Sequence, residues 1–284
     1  MIKVAITGAN GQLGKCLRTV LGEIAELDGT FVSKTALDIT NNDKVDEFFG
    51  NNTFDYCINT AAYTNVEKAE TDKDTAFSIN AEGAKNVAKA CSKNGVTLIQ
   101  ISTDYVFDGE KREPYDEEDK TNPLNVYGAS KLKGEQNVIV HCPAHFIVRT
   151  SWLYSQYGHN FYKTIRKNVD LGKDLTITTE QTGTPTNAND LAAFLVTIIQ
   201  SNNNNYGVYH YTNSGSGTWY DFAAQIVKAT GQNETINLAK TDYYPTFAAR
   251  PVYSVLSTQK AEKVFGITPI FWQKSLQQLT KKNF

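Results

Sequence analysis

The chain has 284 residues, enough for one large domain or two modest ones, and its 28 Lys and Arg against 30 Asp and Glu leave a formal net charge of -2. With no long basic run, neither nucleic acid nor an anionic membrane surface is an expected partner. No stretch of about 18 consecutive apolar residues occurs, so no transmembrane helix is expected.

The N-terminal MIKVAITGANGQLG has no long apolar core and no small-residue cleavage site, and so does not resemble a signal peptide. The cysteines Cys16, Cys57, Cys91 and Cys142 lie far apart with no C-x-x-C among them. They read as free thiols in a reducing cytosol, which gives a cytoplasmic expectation. The histidines show no metal-ligand spacing; His141 and His145 are separated by Pro143, which breaks a helix. No metal site is expected.

Taken in order, residues 2–6 form a short apolar run that predicts a buried strand. Gly8, Gly11 and Gly14 follow in TGANGQLG, and Lys15 to Leu21 reads as a helix. Strand, glycine turn and helix together point to dinucleotide binding. Glycines let the backbone approach a pyrophosphate, and the helix N-terminus offers unpaired N–H groups. The spacing is G-x-x-G-x-x-G. The alternative is a loop that merely turns the chain.

The second strand is expected to end near Thr30–Lys34, where no carboxylate is available to hold both adenosine ribose hydroxyls. Ser33 and Lys34 would instead accommodate a 2′-phosphate, which favours NADP over NAD. Asp38 and Ile39 follow, before a helix over Asp43–Phe49; Asp38 is either a cofactor residue or a capping carboxylate. A third strand over Phe54–Thr60 delivers Ala61, Ala62, Tyr63 and Thr64 to the sheet's carboxyl edge. A long helical segment then runs to about Asn94. A fourth strand, Val96–Ile101, delivers Ser102, Thr103, Asp104 and Tyr105 to the same edge, to bind substrate oxygen or to cap the strand.

Phe107–Asn122 is acidic and reads as a surface excursion. Asn122 and Pro123 then look like the start of a helix carrying Tyr127 and Lys131. These two lie four residues apart, on one helix face. A phenol has a reference pKa of about 10, and a neighbouring ammonium draws it toward the working range. The pair is therefore a proton-transfer candidate. Gly128 and Gly134 in the same helix suggest close packing against a neighbour or a cofactor. His145–Thr150 completes a fifth strand, and the strand–helix alternation predicts an α/β, doubly wound parallel sheet.

Beyond residue 150 the periodicity changes. Trp152, just past a strand end, is either a base-stacking aromatic or a core residue. Residues 159–169 look helical, and Thr182–Thr186 is a turn-rich strand. Asn189 and Asp190 are expected to cap a helix over Leu191–Gln200. Gly207–Tyr211 reads as a strand, Thr218–Thr230 as an amphipathic helix, and two short helices close the chain. Arg250 could pair with a phosphate or lie at the surface. The division expected is a dinucleotide-binding part over 1–150 and a substrate-binding region over 151–284, of which about 180–202 returns to the first part.

Several strings, taken together and in order, resemble the extended short-chain dehydrogenase/reductases, and within them the dTDP-4-dehydrorhamnose reductase family. They are TGANGQLG, LDIT, NTAAYTNVEKAE, STDYVFDG, PLNVYGASKLKGE, RTSWLY, QTGTPT and ARPVYSVL. The resemblance implies a Rossmann-like sheet with a smaller C-terminal α/β substrate-binding domain. It also implies NADPH-dependent reduction of the C4 ketone of dTDP-4-dehydro-L-rhamnose, with NADH as a lesser donor.

In that frame Tyr127 is the general acid, Lys131 binds the nicotinamide ribose and Thr103 assists at the sugar oxygen. Gly8, Asn10, Gly11, Gln12, Leu13 and Gly14 match the pyrophosphate loop. Asp38 and Ile39 lie near the adenine, with Ala61, Ala62, Tyr63 and Thr64 along the cofactor. Asp104 and Trp152 match substrate contacts. Some members bridge a dimer through magnesium at a glutamate-rich interface; here Lys15 stands in place of a glutamate. No metal is therefore implied, while a homodimer formed by another route stays open. Two other functions fit the same strings. One is a non-catalytic NADP-binding regulatory subunit resembling the methionine adenosyltransferase β subunit. The other is a reductase or epimerase of a different nucleotide sugar.

Overall fold

The computed structural model describes residues 1–232 and 235–281. Its centre is a six-stranded, wholly parallel sheet. The first five strands in chain order are β1 (Ile2–Thr7), β2 (Leu27–Val32), β3 (Tyr56–Asn59), β4 (Thr97–Thr103) and β5 (His145–Thr150). The spatial order is Gly207–His210, β5, β4, β3, β1, β2. β3 and β5 are buried along their whole length, because helices cover both faces of the sheet. The chain leaves β1 for β2 on one side and returns to β3 on the other. That reversal opens a crevice at the carboxyl ends of the strands.

One face is covered by α1 (Gln12–Gly22) and by the helix Ala188–Ser201, whose Leu191, Leu195 and Ile199 join Ile6, Leu17 and Val148 in one core. The other face carries α2 (Asn42–Gly50), the helix Ala84–Lys93 and the Tyr127 helix, Val126–His141. A smaller apolar cluster, with Tyr154, Ile165, Phe222, Trp272 and Leu276 among its members, is drawn from the chain beyond residue 150. All four cysteines are buried and free. No helix among the described residues is long and apolar enough to cross a membrane.

Several boundaries differ from the sequence expectation for local reasons. α1 begins at Gln12 rather than Lys15, because Gly11 is its N-cap. The Tyr127 helix is capped by Asn125, whose side chain accepts from the Gly128 amide at 2.7 Å, and not by Asn122. The helix Ala188–Ser201 is capped by Asn187. Asn189 and Asp190 lie inside it, and the Asp190 carboxylate accepts from Asn213 at 2.7 Å.

The segment after Asn65 is no single helix. It runs through two short helices and a π-turn at Ser78–Gly83 before Ala84. The acidic excursion is anchored: Phe107 and Tyr115 are buried and stack at 4.2 Å, so its polar composition hides an aromatic footing. A parallel pairing of Leu175–Thr178 with Leu238–Thr241 was not foreseen: the first alternates apolar and polar residues over only four positions, and the second does not alternate.

Candidate active site

A cleft of about 660 Å³ lies along the carboxyl edge of the sheet, within the usual range for a small-molecule site. At one end is the glycine turn. Gly8 has φ +66°, and a Cβ there would meet the Ala61 amide nitrogen at 2.7 Å. Only glycine fits that position. No side chain caps α1, so its first amides and its positive dipole end are left to an anion. Gly8, Asn10, Gly11, Gln12 and Leu13 all line the cleft. Gly14 does not: a Cβ on it would press on the Gly8 and Ala9 backbone at 2.7–2.9 Å, so its part is helix packing.

β2 ends at Val32 and presents Ser33, Lys34 and Thr35 to the cleft. Asp38 and Ile39 also line it. The Asp38 carboxylate accepts from the Thr40 amide at 3.0 Å and the Thr40 hydroxyl at 2.8 Å. Those bonds, the Thr40 amide first, with help from the Lys34 and Lys44 charges, hold it below the usual carboxylate range. Asp38 thus caps a turn at the cleft wall. Ala61, Ala62 and Thr64 follow β3 into the cleft. Tyr63 is turned away, with its amide donating to Asn80 at 2.8 Å and its hydroxyl to Asp72 at 3.3 Å.

Ser102, Thr103, Asp104, Tyr127 and Lys131 converge at the centre. The close approach of the Tyr127 helix depends on its glycines. A Cβ on Gly128 would lie 2.1 Å from the Tyr105 carbonyl oxygen, and one on Gly134 would lie 2.2 Å from that of Asn80. The neighbour these glycines admit is therefore backbone. Lys131 is buried and donates to the Ile101 carbonyl at 2.6 Å. Burial pulls its pKa down to about 8, against the opposing charge of Glu135. Burial also pushes the Tyr127 phenol up to about 12, opposed by Thr103 and reinforced by Asp104. In the protein itself desolvation thus outweighs any lowering by Lys131, contrary to the sequence expectation. Asp104, almost wholly buried, is pushed by burial up to about 7. Ser102 Oγ, Asp104 Oδ2 and Thr150 Oγ1 are buried without a hydrogen-bond partner. All three residues line the cleft, where a ligand's polar groups would satisfy them.

The far wall is Trp152, which has φ 45°, a left-handed backbone that a bulky residue adopts only under constraint. Its ring stacks on Trp219, and a Cβ on Gly183 would strike it at 2.6 Å. Arg250 lies outside the cleft lining and pairs with Glu67 at 2.6 Å.

Sequence reasoning missed Thr150, Ser151, Gly158 and His159 in the lining. The signal for the last two was weak, a single glycine in a polar loop. That loop is fastened to the glycine turn: the Gln12 amide group donates to the Leu153 carbonyl at 3.2 Å and accepts from Ser155 and Asn160, each at 3.2 Å. Lys15 lies over the Tyr157 ring, 5.8 Å from its centroid. Among the described residues no three His, Cys, Asp or Glu side chains gather as a metal site.

Residues 2–283 match the family model described as RmlD substrate binding domain. The chain is 38% identical to a dTDP-4-dehydrorhamnose reductase of Aggregatibacter actinomycetemcomitans, over 98% of each chain. It is 36% identical to the spore coat polysaccharide biosynthesis protein SpsK of Bacillus subtilis, over 98% of this chain and 96% of the relative. Among solved structures it is similar to a Bacillus anthracis dTDP-4-dehydrorhamnose reductase in complex with NADP, with TM-score 0.94 and 38% identity over 100% of both chains.

Proposed function

Since the chain belongs to the RmlD substrate binding domain family, we propose that it is an NADP-dependent oxidoreductase that reduces the C4 ketone of dTDP-4-dehydro-L-rhamnose to dTDP-L-rhamnose. The observation that carries the reading is one cleft that holds both an uncapped, glycine-lined helix N-terminus and the Tyr127–Lys131 pair. The residues fit a dinucleotide. Gly8 and Gly11 leave room for a pyrophosphate, Ser33 and Lys34 line the same cleft and would accommodate a 2′-phosphate, and the unpartnered Ser102 and Thr150 hydroxyls wait on polar ligand atoms. Bound there, reduced NADP supplies the hydride.

The side chains do the rest. Tyr127, neutral at pH 7 with its pKa up at about 12, holds the proton to be given. An alkoxide is a stronger base than a phenolate, so the transfer runs downhill once the alkoxide forms. Thr103 orients the Tyr127 hydroxyl, and Lys131, whose pKa near 8 keeps much of it protonated at pH 7, favours the developing tyrosinate. Asp104 contacts the sugar, and Trp152 offers its face to the thymine. In this reading the dinucleotide half covers 1–150 and the substrate half 151–284, with about 180–202 packed back on the first.

The test is NADPH oxidation on adding dTDP-4-dehydro-L-rhamnose, alongside a small panel of other nucleotide sugars. Turnover of that sugar above the panel is expected. No NADPH oxidation with any of them would sink the reading and favour a binding module.

A further inference from the structure

We infer that Glu67 is a positioning residue for the substrate half, its carboxylate latching the Phe247–Arg250 segment beside Tyr127. The inference rests on the nucleotide-sugar reading for its kinetic consequence, though not for the latch itself.

The segment has little holding it. Residues 243–250 form no helix or strand, and Phe247 is 72% exposed. Among the described residues, the hydrogen bonds tying it to distant chain go to two side chains. Glu67 Oε2 accepts from the Phe247 amide at 2.8 Å and the Ala248 amide at 3.1 Å. Its other oxygen, Oε1, meets Arg250 Nη2 at 2.6 Å. Asn125, the cap of the Tyr127 helix, donates to the Ala249 carbonyl at 2.8 Å. One carboxylate thus serves two amides and a guanidinium from a segment 180 residues away. Against the burial that would raise it, the Ala248 amide and the Arg250 charge hold the Glu67 carboxyl below its ordinary range. It is ionised at neutral pH, as charge-assisted bonds require.

Glu67 sits on a helix that is itself fixed to the reacting centre. Asn65 caps that helix at Lys68. Glu70, the residue after it, accepts from the Val126 amide at 2.8 Å, at the first position of the Tyr127 helix. The Tyr105 ring meets the Tyr127 ring edge-on at 6.0 Å, and the Arg250 charge opposes the rise that burial imposes on the Tyr105 phenol. Glu67, Glu70 and Asn125 therefore form a joint that sets Arg250 at a fixed place relative to Tyr127. Arg250 lies outside the cleft lining, so a shift of that segment would act on the sugar-nucleotide end through the Asn125 cap and the Tyr105–Tyr127 contact, and would leave the glycine turn, on the other side of β3, untouched.

The experiment uses the full chain and the variants Glu67→Ala, Glu67→Gln and Arg250→Ala, with the Glu67→Ala/Arg250→Ala double variant. Hydrogen exchange at the Phe247 and Ala248 amides is expected to quicken in both Glu67 variants. KM for the sugar nucleotide should rise roughly tenfold or more, as misplaced positioning groups do. kcat should stay within about threefold, and the Kd of NADPH should be unchanged. The double variant should be no worse than the poorer single one, since both remove the same contact. Unchanged exchange at the two amides overturns the latch. A KM that does not move, an equal loss of NADPH affinity, or additive effects overturns the positioning role. Should Glu67→Ala fail to fold, Glu67→Gln, which keeps the shape and drops the charge, decides the same points. A wild-type chain that turns over no nucleotide sugar rejects the activity reading instead, and the exchange rates still judge the latch.

Discussion

The Trp152 and Trp219 rings lie stacked, with centroids 3.7 Å apart and 8° between planes. Trp219 is held in turn by its indole N–H, which donates to Gln181 at 2.8 Å, and Gly183 leaves the space Trp152 fills. Trp152 is thus both a cleft wall and one half of a packed pair. Stacked aromatic pairs contribute about 0.5–1.5 kcal/mol beyond area burial. Trp219→Ala should therefore raise KM for the sugar nucleotide by about two- to tenfold, with kcat and the NADPH Kd little changed. Steady-state kinetics checks it; a large fall in kcat alone would mean that Trp219 does not act through Trp152.

Tyr127→Phe keeps the ring and its edge-on contact with Tyr105 and removes only the donor. kcat should fall by roughly 10²–10⁴, the usual range for a positioned acid, with the fold and NADPH binding retained. Single-turnover measurements of NADPH oxidation read this directly, and wild-type-like turnover would remove Tyr127 from the chemistry.

Lys34 stands exposed at the cleft rim beside Ser33. If it faces a 2′-phosphate, Lys34→Ala lowers kcat/KM for NADPH and leaves that for NADH unchanged. An exposed ammonium is screened by water, so the loss should be modest, about three- to tenfold, and should shrink as salt is added. Parallel titrations with the two dinucleotides decide it, and an equal loss with both would count against the assignment.

Asp104 links pH to stability. Burial raises its carboxyl from 3.8 to about 7, so between those values the folded state binds the extra proton. Stability then falls as pH rises from about 4 to about 7, and the penalty persists above 7. Asp104→Asn removes this titration. Its stability relative to wild type should improve steadily over that window and level off beyond it. Urea denaturation at a series of pH values checks the sign; a gap that stays flat would show that Asp104 is ionised at little cost, and one that narrows with rising pH would show that the fold favours its ionised form.

How far the site was legible follows from what each residue depends on. Tyr127 and Lys131 are paired by helix geometry alone, so their spacing was enough to set them on one face. Gly128 and Gly134 signalled a close neighbour, but the Tyr105 and Asn80 carbonyls they approach come from other parts of the chain. The lowered Tyr127 pKa expected from Lys131 was misjudged because burial is a tertiary quantity, and it dominates both groups. The cap at Asn125 was passed over for Asn122 because several side chains near a helix start can serve, and only the backbone path selects one. Arg250 stayed ambiguous until Glu67 met it.

The sequence by itself determined the sheet and the glycine turn, because short apolar runs, glycines and caps act within a few residues of one another. It also marked Tyr127 with Lys131 as the pair to watch. The tertiary structure decided the protonation states, the stacked Trp152 and the fastening of the 247–250 segment. Desolvation and long-range contact depend on which distant groups close around a side chain, and no local pattern carries that.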